Sequence, residues 1–273
     1  APQAERHSWL TEIIGFKDWE DPHDQVSLSI IDHGHSSAKI LVDDASYSFT
    51  VYAQNYLSAH LPEVEFIYKT GLSDTLRAIK DVSEINIMRK AAKIADQSMD
   101  RLCNEIKPGQ TSRDAGAIAA ASYMMFGADD GQVGRICRGQ GSTGFLHAEL
   151  DDIPLKVGDV LHAELVPKVN RYSARLMRPI SIGENTPRVD EITSALIYYQ
   201  DQQIDAMVSG QVVSNVDAIL RNGLVKAGIR NEYENVTGYM LGLYGRTPRS
   251  SDFSHVFLPT SQWRLKTGMV FHM

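Results

Sequence analysis

The chain has 273 residues, of which 43% are hydrophobic, so it can bury a substantial core in one large domain or two smaller ones. Its formal net charge of -7 and pI near 5.7 argue against the clustered basic surface that nucleic-acid binding requires. Two cysteines are too few for a disulfide framework, and no apolar run approaches the roughly 18 to 20 residues that span a bilayer, which predicts a cytoplasmic protein without nucleic-acid or membrane partners.

The first 73 residues mix short apolar runs with one predicted helix. Val26–Ile31 and Lys39–Val42 are the apolar runs, and Tyr52–His60 is the candidate helix. This mixture is typical of part of an α/β domain. Gly71–Ser73 then provides a joint to the remainder of the chain.

A long amphipathic helix is predicted to begin near Ser83, which is a suitable N-cap. Its apolar positions recur at spacings of three and four residues, at Ile85, Met88, Ala92, Ala95, Met99, Leu102 and Ile106. Lys107, Pro108 and Gly109 end the pattern, because proline and glycine stop helices. A second helix is predicted from Thr111 or Ser112 to Phe126.

This helix pair recurs later in the chain. Gly210 follows Gly109 by 101 residues, and the same offset relates Gln110, Ala117, Ile118 and Gly127 to Gln211, Ala218, Ile219 and Gly228. Two copies are too few for a solenoid, which needs three or more units to bury its faces. The pattern predicts a pseudo-two-fold α+β domain with a sheet between helix pairs.

The most informative segment is Gly158–Gly183, GDVLHAELVPKVNRYSARLMRPISIG. We predict strands over Asp159–Val166 and Arg171–Ile182, separated by a turn region. Alternate strand residues share a face, so His162 and Glu164 should point the same way. On the second strand, one face should carry Arg175, Met177 and Pro179, with Arg178 opposite.

This hairpin, with the upstream GSTGFLHAELDD and the downstream NVTGYMLGLYG, resembles the pita-bread hydrolases, the family of methionine aminopeptidase, aminopeptidase P, prolidase and creatinase. The resemblance implies a pita-bread α+β fold with internal duplication over residues 76–273. It also implies a partial amino-terminal domain over residues 1–73, and a homodimer. Because a family ligand position would follow Gly268–Phe271 beyond Met273, we expect a catalytic domain truncated at its C-terminal end.

In metal-dependent members, the resemblance places two aspartate ligands at Glu164 and Arg175, a histidine ligand at Tyr239 and a second histidine at Arg246. A guanidinium is permanently charged and has no acceptor, so Arg175 should repel a divalent cation. We therefore predict no cofactor. The alternative is a divalent metal such as Mn, Co or Zn, for which His162 and Glu164 share a face.

The same positions suggest catalytic and binding roles. By the resemblance, His147 lies beside the reacting bond, where histidine can carry a proton near neutral pH. Glu164 would act as a nucleophile or water-orienting base, or would pair with Arg175 as a structural ion pair. Arg175, Tyr239 and Arg246 would bind the substrate.

The motif changes are closest to those of the metal-free relatives ectoine hydrolase and creatinase. They predict a metal-independent hydrolase of a C–N bond in a small amino-acid-like or cyclic amidine substrate. Two alternatives remain. One is a metal-dependent Xaa-Pro aminopeptidase or dipeptidase, and the other is a catalytically inactive module that binds ligands in the pita-bread pocket.

Overall fold

The computed structural model describes residues 4–5, 8–46, 48–139, 148–243 and 255–273. The chain divides into two compact units, Ala1–Thr75 and Leu76–Met273. Within the described ranges, no helix combines the length and the apolar character that a bilayer crossing requires.

Two helices and a small parallel sheet make up most of what the structure describes of the first unit. Helix α1 spans Pro22–Asp32 and helix α2 spans Val51–His60. Strand β1 (Lys39–Val42) pairs in parallel with β2 (Glu65–Tyr68). A short helix, α3 (Leu72–Arg77), follows the sheet. The predicted helix near Tyr52 is therefore present.

Two helices open the second unit, α4 (Val82–Glu105) and α5 (Ser112–Met125). The N-cap of α4 is Asp81 and not Ser83, because the Asp81 carboxylate accepts a hydrogen bond from the backbone N–H of Glu84 at 2.8 Å. Glu84 in turn accepts from the backbone N–H of Asp81, which completes a capping box.

A four-stranded antiparallel sheet packs against these helices. Its strands are β3 (Asp130–Gly139), β4 (Val160–Val169), β5 (Tyr172–Ser173) and β6 (Leu176–Ser181). Strand β4 is central, with β3 on one side and both β5 and β6 on the other. One face of β4 enters the hydrophobic core through Leu161, Ala163 and Leu165. The opposite face carries the polar residues described below.

The second half of this unit repeats the helix pair. Helices α6 (Pro187–Asp205) and α7 (Val213–Lys226) are followed by the short antiparallel strands β7 (Tyr239–Met240) and β8 (Phe271–His272). A second core cluster forms around Val213, Val216, Phe257 and Leu265.

The duplication predicted from the sequence is also present in the backbone hydrogen bonds. Gly109 and Gly210 both have φ of 91°. The N–H of Gly109 donates to the carbonyl of Leu155 at 2.8 Å, and that of Gly210 donates to the carbonyl of Leu265 at the same distance. The glycine break and the helix after it are thus built in the same way twice.

Candidate functional site

The candidate site lies on the polar face of β4, beside an irregularity in β3. The pairing register between β3 and β4 shifts between Val133 and Ile136. Gly134 and Arg135 therefore lie together opposite Glu164, which is the two-against-one arrangement of a β-bulge. The bulge leaves backbone N–H groups of β3 available to a side chain of β4.

The bulge holds the Glu164 carboxylate in place. The backbone N–H of Arg135 donates to Glu164 Oε2 at 3.2 Å. A Cβ atom added at Gly134 would lie 2.6 Å from Glu164 Cγ and 2.7 Å from its Cδ. Glycine is therefore required at position 134 for the carboxylate to lie against the strand.

Arg175 forms an ion pair with the same carboxylate. Its Nε donates to Glu164 Oε1 at 2.5 Å, and a terminal guanidinium nitrogen contacts the same oxygen. The side chains of Glu164 and Arg175 are 4% and 20% exposed. The pair is largely desolvated, so the two charges neutralise each other inside the unit.

Two aromatic side chains from β7 and β8 complete the cluster. The guanidinium carbon of Arg175 lies 5.3 Å from the centre of the Tyr239 ring, which is a cation–π distance. The Tyr239 and His272 rings are 5.0 Å apart, consistent with the pairing of their strands. His272 Nδ1 donates to the backbone carbonyl of Arg175 at 3.1 Å.

The environment of His272 keeps its imidazole neutral. Burial, and then the positive charge of Arg175, lower the pKa of His272 from 6.5 to about 4. The hydrogen bond to the Arg175 carbonyl has a smaller, opposing effect on this pKa. At neutral pH the ring is therefore an uncharged hydrogen-bonding group beside the ion pair.

Three of the five predicted site residues meet in this cluster. Glu164, Arg175 and Tyr239 are in contact as described, whereas His147 and Arg246 lie outside the described residues. His162 is buried on the same face as Glu164, as predicted, and stands opposite Cys137 of β3.

Sequence reasoning did not find His272 or Gly134. A glycine within a strand pattern is a signal for a bulge and could have indicated Gly134. For His272 no local signal exists, since its contact with Arg175 joins residues 97 positions apart.

We next asked whether these residues could hold a metal ion. Among residues whose placement is described, no group of three or more histidine, cysteine, aspartate or glutamate side chains could do so. Glu164 already accepts hydrogen bonds at both carboxylate oxygens. This part of the chain does not fit a metal centre built from several carboxylates.

A family model described as metallopeptidase family M24 matches residues 86–273. The curated Xaa-Pro dipeptidase of Pyrococcus furiosus is 26% identical over 196 residues, covering 71% of this chain and 54% of that protein. The chain thus spans about half the length of this relative.

Solved structures give the same fold. The X-Pro aminopeptidase of Thermotoga maritima superposes with a TM-score of 0.83 at 18% identity, covering 99% of this chain and 73% of the other. The prolidase of Pyrococcus furiosus gives 0.80 at 22% identity, covering 99% and 74%. These likenesses confirm the predicted pita-bread α+β fold, and the family match agrees with the resemblance to the aminopeptidase P, prolidase and creatinase family.

Two predictions are corrected by these findings. The prediction of no cofactor is contradicted, because the matched family is one of metallopeptidases. Metal-independent hydrolysis of an amidine-like substrate is contradicted too, since the relatives carry Xaa-Pro dipeptidase and prolidase names. Both predictions rested on the ligand replacements, above all Arg175, and treated them as excluding every metal ion.

Proposed function

Because this chain belongs to metallopeptidase family M24, we propose that it hydrolyses short peptides at the bond before proline, in a metal-dependent reaction. The match over residues 86–273 carries this proposal, since that range contains Glu164, Arg175, Tyr239 and His272. The name of the Pyrococcus furiosus relative, Xaa-Pro dipeptidase, supplies the substrate class.

Within this function, Arg175 is suited to bind the substrate. Its guanidinium is held on one side by Glu164 and on the other by the Tyr239 ring, so its position is fixed before a ligand arrives. A fixed positive charge in a desolvated site can stabilise a peptide carboxylate or a developing oxyanion. We assign Glu164 to the same site, and His147 as its proton carrier stays a prediction from the sequence.

We further propose an amino-terminal domain over residues 1–73 and a catalytic domain over residues 76–273, together with a homodimer and a cytoplasmic location. The special closeness to ectoine hydrolase and creatinase finds no support among the relatives named above.

The proposal is tested with purified protein and two dipeptides, Ala-Pro and Ala-Ala. After chelation, the protein is supplied with Mn²⁺, Co²⁺ or Zn²⁺ and product amino acids are quantified. We expect Ala-Pro to be cleaved at least about tenfold faster, which corresponds to roughly 1.4 kcal/mol of transition-state binding. Chelation should abolish the activity.

A matched pair of variants tests the site. Arg175→Met should reduce Ala-Pro turnover, whereas Arg178→Met should retain it, because Arg178 is exposed and donates to the neighbouring Met177 carbonyl. Absence of Ala-Pro cleavage with all three ions would refute the proposed function.

A further inference from the structure

The Glu164–Arg175 pair leaves little negative charge for a cation. Arg175 occupies one oxygen of the carboxylate and the Arg135 N–H occupies the other. A divalent ion of the kind that metallopeptidases use is bound by carboxylates together with neutral histidines, and a centre with two ions needs several carboxylates. Here the carboxylate is already compensated by a positive charge.

Two further side chains contact Arg175 in the part of the chain that the structure describes. The Tyr239 ring presents its electron-rich face to the guanidinium, and the His272 ring donates to the Arg175 backbone carbonyl. Both contacts stabilise the guanidinium in its present position without adding an anionic ligand. The cluster is therefore built around a protein cation.

Peptidase centres with two metals need bridging carboxylates that keep the ions about 3.5 to 4 Å apart. By the resemblance, Arg175 stands at one of those carboxylate positions and Glu164 at another. In the structure the Arg175 guanidinium contacts the Glu164 carboxylate directly. We propose that the guanidinium of Arg175 replaces one cation of the centre, so that the protein binds no more than one divalent ion per chain.

This inference rests on the proposed function for the presence of a metal centre at this hairpin, but it is tested without measuring hydrolysis. Purified protein is stripped with a chelator, equilibrated with Mn²⁺ or Zn²⁺, passed through gel filtration and analysed for bound metal by mass spectrometry. We expect one equivalent per chain. Two retained equivalents would overturn the inference and leave the metal-dependent function standing, whereas a value of zero would overturn both.

A second measurement compares Arg175→Asp with Arg178→Asp. Both variants change the net charge equally, but Arg178 lies on the opposite face of β6 from the residues that pair with Glu164 and His162. Arg175→Asp removes the competing cation and adds a carboxylate beside Glu164, so it should retain one more equivalent than the wild type. Arg178→Asp should match the wild type.

Equal metal content in the two variants would contradict the inference. Circular dichroism reports whether each variant is folded. If Arg175→Asp does not fold, the number of metal ions bound by the wild-type protein still tests the inference, because that measurement needs no substitution.

Discussion

The ion pair between Glu164 and Arg175 makes a prediction about stability at the scale of single residues. Glu164→Gln removes the negative charge of the Glu164 carboxylate from beside a guanidinium that is only 20% exposed. Breaking a buried ion pair in this way lowers the free energy of unfolding by about 3 to 5 kcal/mol. Because Arg175 is partly exposed, we expect a value near the lower end of that range. Urea denaturation of both proteins measures the difference.

The chain offers a solvent-exposed pair as the control. Arg113 and Asp152 form an ion pair with side chains 59% and 72% exposed, so Asp152→Asn should change the free energy of unfolding much less than Glu164→Gln does. The double variant Glu164→Leu/Arg175→Met removes both charges and should recover much of the loss. Equal costs at Glu164 and Asp152 would contradict a desolvated pair.

His272 makes a pH-dependent prediction. The unfolded histidine takes up a proton as the pH falls below about 6.5, whereas the folded one resists protonation until about pH 4. The unfolded state therefore binds more protons in this window, and the free energy of unfolding should fall as the pH falls from 6.5 to 4. Above this window the contribution of His272 is fully present.

The effect is isolated as the difference between wild type and His272→Gln, whose amide can still donate to the Arg175 carbonyl. That difference should shrink as the pH falls across the window. His33 provides a contrast, because its hydrogen bond to the Ser29 carbonyl raises its pKa above 6.5. The difference for His33→Gln should therefore grow as the pH falls towards 6.5 and stay constant below it. A pH-independent difference for His272 would show that its ring is not held neutral.

At the scale of elements, the hairpin shows what strand periodicity can and cannot supply. Alternation placed His162 and Glu164 on one face, and the pairing of Glu164 with Met177 agrees with the predicted faces. The turn was less predictable. Pro167 lies within β4, and the reversal occurs at Asn170 and Arg171, which have φ of 46° and 68°.

Helix ends and long-range contacts were likewise only partly predictable from the sequence. The apolar spacing predicted α4, but Ser83 and Asp81 are both competent caps, and only the reciprocal contact with Glu84 selects Asp81. Likewise, local pattern predicted that Glu164 and Arg175 could face each other. The position of His272 beside Arg175 depends on how β8 packs, and no local sequence pattern predicts that packing.

At the scale of the whole molecule, the internal repeat carries the architecture. Five identities at a fixed offset predicted the duplication, and the φ of 91° at both Gly109 and Gly210 shows why glycine stands at both breaks. Each helix pair packs its own core, the first around β4 and the second around Phe257. The site is formed where strands of both halves meet at Arg175 and Tyr239.

The repeat predicts equal costs at equivalent positions. Gly109→Ala and Gly210→Ala would each place a side chain at φ of 91°, with nothing within 4 Å of the added Cβ. The cost is then backbone strain alone, about 1 to 2 kcal/mol in each half. Gly15→Ala, which has open space and no left-handed φ, should change the free energy of unfolding by less than about 0.5 kcal/mol. Thermal and urea unfolding of the three variants measure these values, and a large cost at one break without the other would show that the two halves are not equivalent.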